Sequence, residues 1–282
     1  MNHRIIGRLD IKGPNLVKGI HLEGLRALGT PWDFAKHYYD NGIDELIFQD
    51  VVASLYQRNS LDDIISRTAN EIFIPITVGG GIRTLDDIKR ILRSGADKVS
   101  LNTAVINNPN LIKEASETFG SSTIVVCVEC IRNEENTYLA YTDNGREFTG
   151  VRVIDWVKKI EELGAGEILL TSVDRDGTGI GYDIDLISCV TQIVSIPVIA
   201  HGGPSKLIHI GDALLNGKCD AVALASILHY GDFLNHKGDL DINMSEGNFE
   251  FISRKKVYKN FEKIDIQTIK NSLIEQNITV RI

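Results

Sequence analysis

The sequence predicts an α/β fold: a single (β/α)8 TIM barrel, residues 1–282, built from two repeated half-barrels. Three observations lead there. Short Val/Ile/Leu-rich runs alternate with amphipathic stretches of helical length, and strands so apolar belong in a parallel sheet covered on both faces by helices. Eight such units in 282 residues fit one closed barrel better than an open sheet. Landmarks also recur at a constant offset. Gly42 and Gly164 are 122 residues apart, as are Gly95 and Gly217 and the starts of "IPITVGGG" (74–81) and "IPVIAHGG" (196–203); Thr103 and Ser226 are 123 apart. A fixed offset through four units marks an internal repeat, with halves at about 1–121 and 122–282.

The elements follow in order. "RIIGRLDI" is the first strand, and "TPWDFAKHYYDNG" a helix with Thr30 as cap, Pro31 at its first position and Gly42 at its end. "DELIFQDV", "LDDIISRTANEI", "IPITVGGG" and "TLDDIKRILRSG" continue as strand, helix, strand, helix. "DKVSLNT" and "NPNLIKEASETFG" close the first half. The second half runs through "STIVVCVEC", "VRVIDWVKKIEELG", "EILLTSVD", "DIDLISCVTQIV", "IPVIAHGG", "LIHIGDALLNG" and "DAVALASIL" to the helix "IQTIKNSLIEQN". Only 231–262 breaks the rhythm, being polar and Gly/Asn-rich with room for a short strand at "NFEFISR". It reads as an insertion in the last βα loop, on the rim where barrel loops build a site, or else as a solvated excursion.

Composition narrows the function. A net charge of −8 with no basic cluster argues against nucleic acid. No stretch approaches a signal peptide or a membrane span, so a cytoplasmic protein without membrane contact is expected. Four cysteines suggest reduced thiols rather than a disulfide framework. Cys127 and Cys130, three apart on a strand, face opposite ways and lack a second ligand pair, so they read as packing residues. The seven histidines form no HxH or HExxH pattern, and no metal or cofactor is expected. Only His201 is assigned to the cavity.

The chemistry lies at the strand ends. "VGGGIRT" (78–84) and "AHGGPSK" (200–206) are glycine-rich turns between strand and helix, where backbone N–H groups can approach an anion closely. "SLNTA" (100–104) and "LASI" (224–227) end the neighbouring strands in small or hydroxyl residues. Two such cradles half a barrel apart suggest a small-molecule ligand with a phosphate, or another anion, at both ends. Strand alternation puts Arg4, Arg8 and Asp10 on one face of the first strand, and Cys127 and Glu129 on one face of the fifth. If those faces point inward, Asp10 and Glu129 stand opposite each other at the mouth, suited to general acid–base work; ordinary rim carboxylates are the plainer reading. At the other end, Arg4, Glu45, Lys98 and Glu167 each open a strand. They either meet solvent or form a charged ring closing the barrel floor.

"VKGIHLEGLR", "FIPITVGGGIRT", "GADKVSLNTA", "ELGAGEILLTSVDRDGTG" and "SIPVIAHGG" together resemble the cyclase subunits of imidazole glycerol phosphate synthase, along the whole chain except 231–262. The resemblance implies a heterodimer with a glutaminase docked on the N-terminal face. Ammonia would pass a gate, here Arg4, Glu45, Lys98 and Glu167, to catalytic Asp10 and its counterpart. It further implies a docking contact at Asp97 and a substrate-loop Lys18. The implied phosphate sites are Gly81, Asn102 and Thr103 in one half, and Asp176, Gly177, Gly203 and Ser226 in the other.

Three positions depart from that family. Glu129 stands where it has its second aspartate, and an extra methylene moves the carboxylate by roughly an ångström, enough to cost ~10²-fold in rate. Arg8 replaces a small thiol and His201 a small serine. With "RLDIKGPNLVKGIHLEGLR" and "DVVASLYQRN", the altered mouth resembles a paralogous branch acting in acetamidino modification of surface-polysaccharide sugars. There ammonia would pass to an ATP-dependent sugar amidotransferase. Three functions are therefore expected to compete: an ammonia-conducting barrel of that branch, a histidine-pathway cyclase, and a non-catalytic scaffold.

Overall fold

The structure, a computed structural model, describes residues 2–53, 61–233 and 261–281. Eight strands pair in parallel around a closed ring: β1 (Arg4–Lys12), β4 (Glu45–Asp50), β5 (Ile76–Gly79), β6 (Lys98–Leu101), β7 (Ile124–Arg132), β10 (Glu167–Ser172), β11 (Val198–His201) and β12 (Ala221–Leu224), which returns to β1. This is the (β/α)8 barrel that the alternating runs predict. Helices α1 (Pro31–Asp40), α2 (Asp62–Glu71), α3 (Leu85–Arg93), α4 (Thr103–Asn107), α5 (Asn110–Phe119), α6 (Val153–Glu162), α7 (Ile184–Thr191), α8 (Leu207–Leu215) and α9 (Ile266–Glu275) connect the strands or close the chain. None of the described helices is long and apolar enough to cross a membrane.

Local chemistry explains where helices begin. The Thr30 side chain accepts the Asp33 N–H, with Pro31 in the first turn, where its missing N–H costs nothing. Thr84 and Asp87 form a reciprocal capping box on α3. Burial then divides by strand parity. On β1, Ile5, Leu9 and Ile11 pack against the helical layer, whereas Ile6 joins Ile47, Val125, Cys127, Leu169, Ile199, Ala221 and Ala223 in an apolar column down the barrel axis.

Two hairpins over the mouth differ from the sequence reading. β2 (Asn15–Ile20) and β3 (Glu23–Gly29) fold back on the end of β1, while β8 (Tyr138–Thr142) and β9 (Glu147–Arg152) fold back on β7. The stretch 151–164, read as one helix, therefore begins as strand, and α6 starts at Val153. The cause is backbone hydrogen bonding. β1 and β7 run past the barrel rim, and an antiparallel return partners the N–H and C=O groups that the ring leaves open. Lys18 accordingly lies on a strand, β2, rather than in a loop. Most of the excursion read at 231–262, including the strand at "NFEFISR", lies outside the described residues.

Candidate active site

At the barrel floor four charges close a ring. Arg4 Nη1 lies 3.0 Å from Glu45 Oε1 and 2.7 Å from Glu167 Oε1, and Lys98 Nζ lies 3.3 Å from Glu45 Oε2 and 2.9 Å from Glu167 Oε2. All four are only partly exposed, so their mutual attraction is less screened than at a free surface. Asp97 next to the ring accepts the Ile76 N–H at 2.8 Å, and Asp220 does the same for Val198 in the other half. That carboxylate oxygen ties the start of β5, whatever else Asp97 touches. Above the ring, the apolar column offers no charge until the mouth.

The mouth is densely ionic. Arg8, 1% exposed, donates from Nε to Asp10 Oδ1 at 2.8 Å and from Nη1 to Thr171 Oγ1 at 3.4 Å. The same Nη1 lies 3.1 Å from His201 Nδ1. A guanidinium can only donate, so Nδ1 accepts and the ring proton sits on Nε2, 3.8 Å from Asp176 Oδ1. Lys18 Nζ bridges Asp176 Oδ2 at 2.7 Å and Asp10 Oδ2 at 3.4 Å. Burial alone would raise the pKa of Asp10, but Arg8 first, then Lys18, hold it well below the usual carboxylate range. Burial, reinforced by the two cations, pushes His201 well below its ordinary pKa and leaves it neutral.

Glu129 has a different environment. Its Oε2 accepts the N–H of Gly145 at 2.9 Å, and Gly145 sits at the tip of the β8–β9 hairpin with φ 74°. Burial pushes its pKa up to about 7, although the Gly145 N–H and Arg8 pull the other way. The pKa values of two carboxylates at one mouth are thus pushed apart, Asp10 downward and Glu129 up into the neutral range, the arrangement that separates an acid from a base. Cys127, one layer below, is held as a neutral thiol by burial, its pKa pushed up to about 12. Cys130 packs on the helical side.

Two cavities flank this cluster. A first-half cavity of about 440 Å³ is lined by Gly81, Asn102, Thr103, Arg83 and Glu129, among others. A second, of about 220 Å³, is lined by Lys18, Gly177, Ser226, Arg26 and Tyr230 with others. Asp176 and Gly203 line neither. Asp176 is occupied by Lys18 and by the Leu22 N–H at 3.3 Å, clamping the β2–β3 hairpin down. At Gly203 a Cβ would meet the Gly181 carbonyl oxygen at 2.1 Å, so glycine there permits a close loop approach.

The sequence reading misses Gln49 and His229, and takes Ser100 only as part of the "SLNTA" strand end. Gln49 Oε1 and Ser100 Oγ have no hydrogen-bond partner and line the larger cavity. His229, fully buried, meets the Tyr38 hydroxyl at 2.6 Å through Nδ1 and leaves Nε2 without a partner. A glutamine inside "ELIFQD", at the parity of the inward Glu45 and Ile47, is the one signal that could have found Gln49.

A family model described as histidine biosynthesis protein matches residues 4–234. The imidazole glycerol phosphate synthase subunit HisF of Legionella pneumophila is 55% identical over 206 residues, 73% of this chain and 97% of that protein. HisF of Methanocaldococcus jannaschii is 47% identical over 252 residues, 83% of this chain and 93% of its own. HisF of Alkaliphilus metalliredigens is 44% identical over 229 residues, 81% and 91%.

Proposed function

The chain belongs to the histidine biosynthesis protein family, HisF-like branch, and from that premise we propose that it is a cyclase-type subunit fed with ammonia by a glutaminase partner. Its substrate in this reading is the bis-phosphorylated ribulosyl intermediate of imidazole glycerol phosphate synthesis. One observation carries the reading: a closed ring of four charges, an apolar column and a pair of buried carboxylates succeed one another along a single axis. A small neutral molecule suits that column, since a charged one would lose its hydration there at high cost.

In this mechanism Asp10, kept ionised by Arg8 and Lys18, takes protons released as ammonia adds and the ring closes. Glu129, protonated over part of the neutral range, gives a proton to the group that leaves. Gly81, Asn102 and Thr103 would hold one phosphate in the larger cavity, and Gly177 and Ser226 the other in the smaller. The names of the relatives support this reading over the sugar pathway.

A second reading rests on Arg8. Its side chain, one of the largest wholly buried ones, occupies the side of the mouth facing Thr171 and His201. That filling suits a barrel of the acetamidino-sugar branch, handing ammonia to an ATP-dependent sugar amidotransferase. The deciding experiment is a cyclase assay on the purified chain with ammonium salt and the bis-phosphorylated substrate. Turnover establishes the first reading. Substrate binding without turnover moves the chain to the second.

A further inference from the structure

The apolar column has unequal surroundings at its top. Towards β10 and β11 it is roofed by the Arg8 guanidinium, held by Asp10, Thr171 and His201. Towards β4, β5 and β6 the larger cavity stands in place of that cluster, lined by Gln49, Gly81 and Ser100 among others. Cys127 belongs to the column and also lines the larger cavity, so on this side column and cavity have one residue in common.

Two oxygens without partners stand at that junction. Gln49 Oε1 and Ser100 Oγ are buried, accept no hydrogen bond, and belong to residues lining the cavity beside Glu129. They share the space above Gly79, where a Cβ would come within 2.3 Å of Gln49 Oε1 and 3.0 Å of Ser100 Cβ. Any side chain at position 79 would displace the Gln49 amide. A buried acceptor left unpaired is costly, and a site that keeps two side by side is built for a donor. Ammonia carries three N–H bonds, and in a column made mostly of apolar side chains only a few groups, such as Thr77 beside Ile47, could meet them.

We propose that ammonia leaves the barrel core on the first-half side, past Cys127, and is received by Gln49 Oε1 and Ser100 Oγ before it reaches Glu129. This rests on the glutaminase-fed reading above. Gln49 acts as a positioning residue. It turns the N–H bonds toward protein oxygens and leaves the nitrogen lone pair free for the substrate, while Arg8 closes the other way out.

The test has two parts, chosen so that a failure of the cyclase reading shows separately. Crystals of the wild-type chain are soaked in methylamine, whose carbon distinguishes it from water. The expected result is methylamine nitrogen within hydrogen-bond distance of Gln49 Oε1, lost in Gln49→Leu. Methylamine on the Thr171–His201 side, or absent from the barrel top, overturns the inference. If turnover is observed, Gln49→Leu should raise the KM for ammonia roughly 3- to 10-fold, the worth of one net hydrogen bond. The KM for the phosphorylated substrate should stay within about twofold. Equal rises in both KM values, or no rise for ammonia, also overturn it. Methylamine bound at Gln49 in a chain without turnover would sink the cyclase reading and leave this route standing.

Discussion

Arg8 Nε lies 2.8 Å from Asp10 Oδ1, and both side chains are almost wholly withdrawn from solvent. One consequence concerns stability. Arg8→Met leaves Asp10 and Asp176 sharing Lys18 alone, and removing one partner of a buried pair costs about 3–5 kcal/mol. Asp10 has a depressed pKa in the folded state, so its contribution is present above the unfolded carboxylate pKa and fades as pH falls through the folded value. Urea unfolding should therefore show the largest gap between wild type and variant near pH 7, narrowing below about pH 4. A gap that widens at low pH would contradict the pairing.

Glu129 carries the opposite sign. Its folded pKa is raised to about 7, so the folded state holds the proton more tightly, and burial of Glu129 opposes folding increasingly as pH rises from the ordinary carboxylate value to about 7. Glu129→Gln should thus gain stability relative to wild type at pH 8 and little at pH 4, read by urea midpoints. In the glutamine-driven reaction its kcat should fall ~10²-fold or more if the proton matters. Wild-type kcat should decline above about pH 7, and that limb should vanish in the variant. A flat wild-type profile would remove Glu129 from the acid role.

The floor ring gives a third expectation. Lys98→Met leaves Glu45 and Glu167 with Arg4 as their only partner within the ring, so the like charges repel and the ring loosens. Glutamine-driven turnover should fall several-fold more than turnover with added ammonium salt, compared in parallel assays. Equal losses in both would mean that the ring acts on folding rather than on passage.

Much of this arrangement is legible in the sequence, for physical reasons. Period-two alternation is enough to align Arg8 and Asp10 with Ile6, and the apolar strands with their Gly-ended helices dictate a parallel barrel. The hairpins are not legible, because "VKGIHLEGLR" and the stretch around Tyr138–Arg152 carry no long apolar run. Their pairing is set by the open edges of β1 and β7, a tertiary fact. With them the sequence conceals the Gly145 N–H on Glu129 and the clamp by Asp176. Gln49 is hidden differently. One polar letter in "ELIFQD" gives its parity but not the packing of its amide over Gly79.

A fourth expectation concerns the anion cradle of the larger cavity. Inorganic phosphate at 100 times its Kd should stabilise the chain by roughly 2.7 kcal/mol if it binds only the folded state. Thr103→Val should reduce that gain, measured as the phosphate-dependent rise in Tm, because Thr103 lines the cavity beside Gly81 and Asn102. An unchanged rise would place the anion elsewhere.

The most direct test of the whole account is the glutamine balance in the complex with a glutaminase, run with an ammonia scavenger in the bulk solution. The account predicts about one imidazole glycerol phosphate formed for each glutamine consumed, unaffected by the scavenger. Ammonia appearing in the bulk with no cyclised product, while the bis-phosphorylated substrate remains bound, would contradict it.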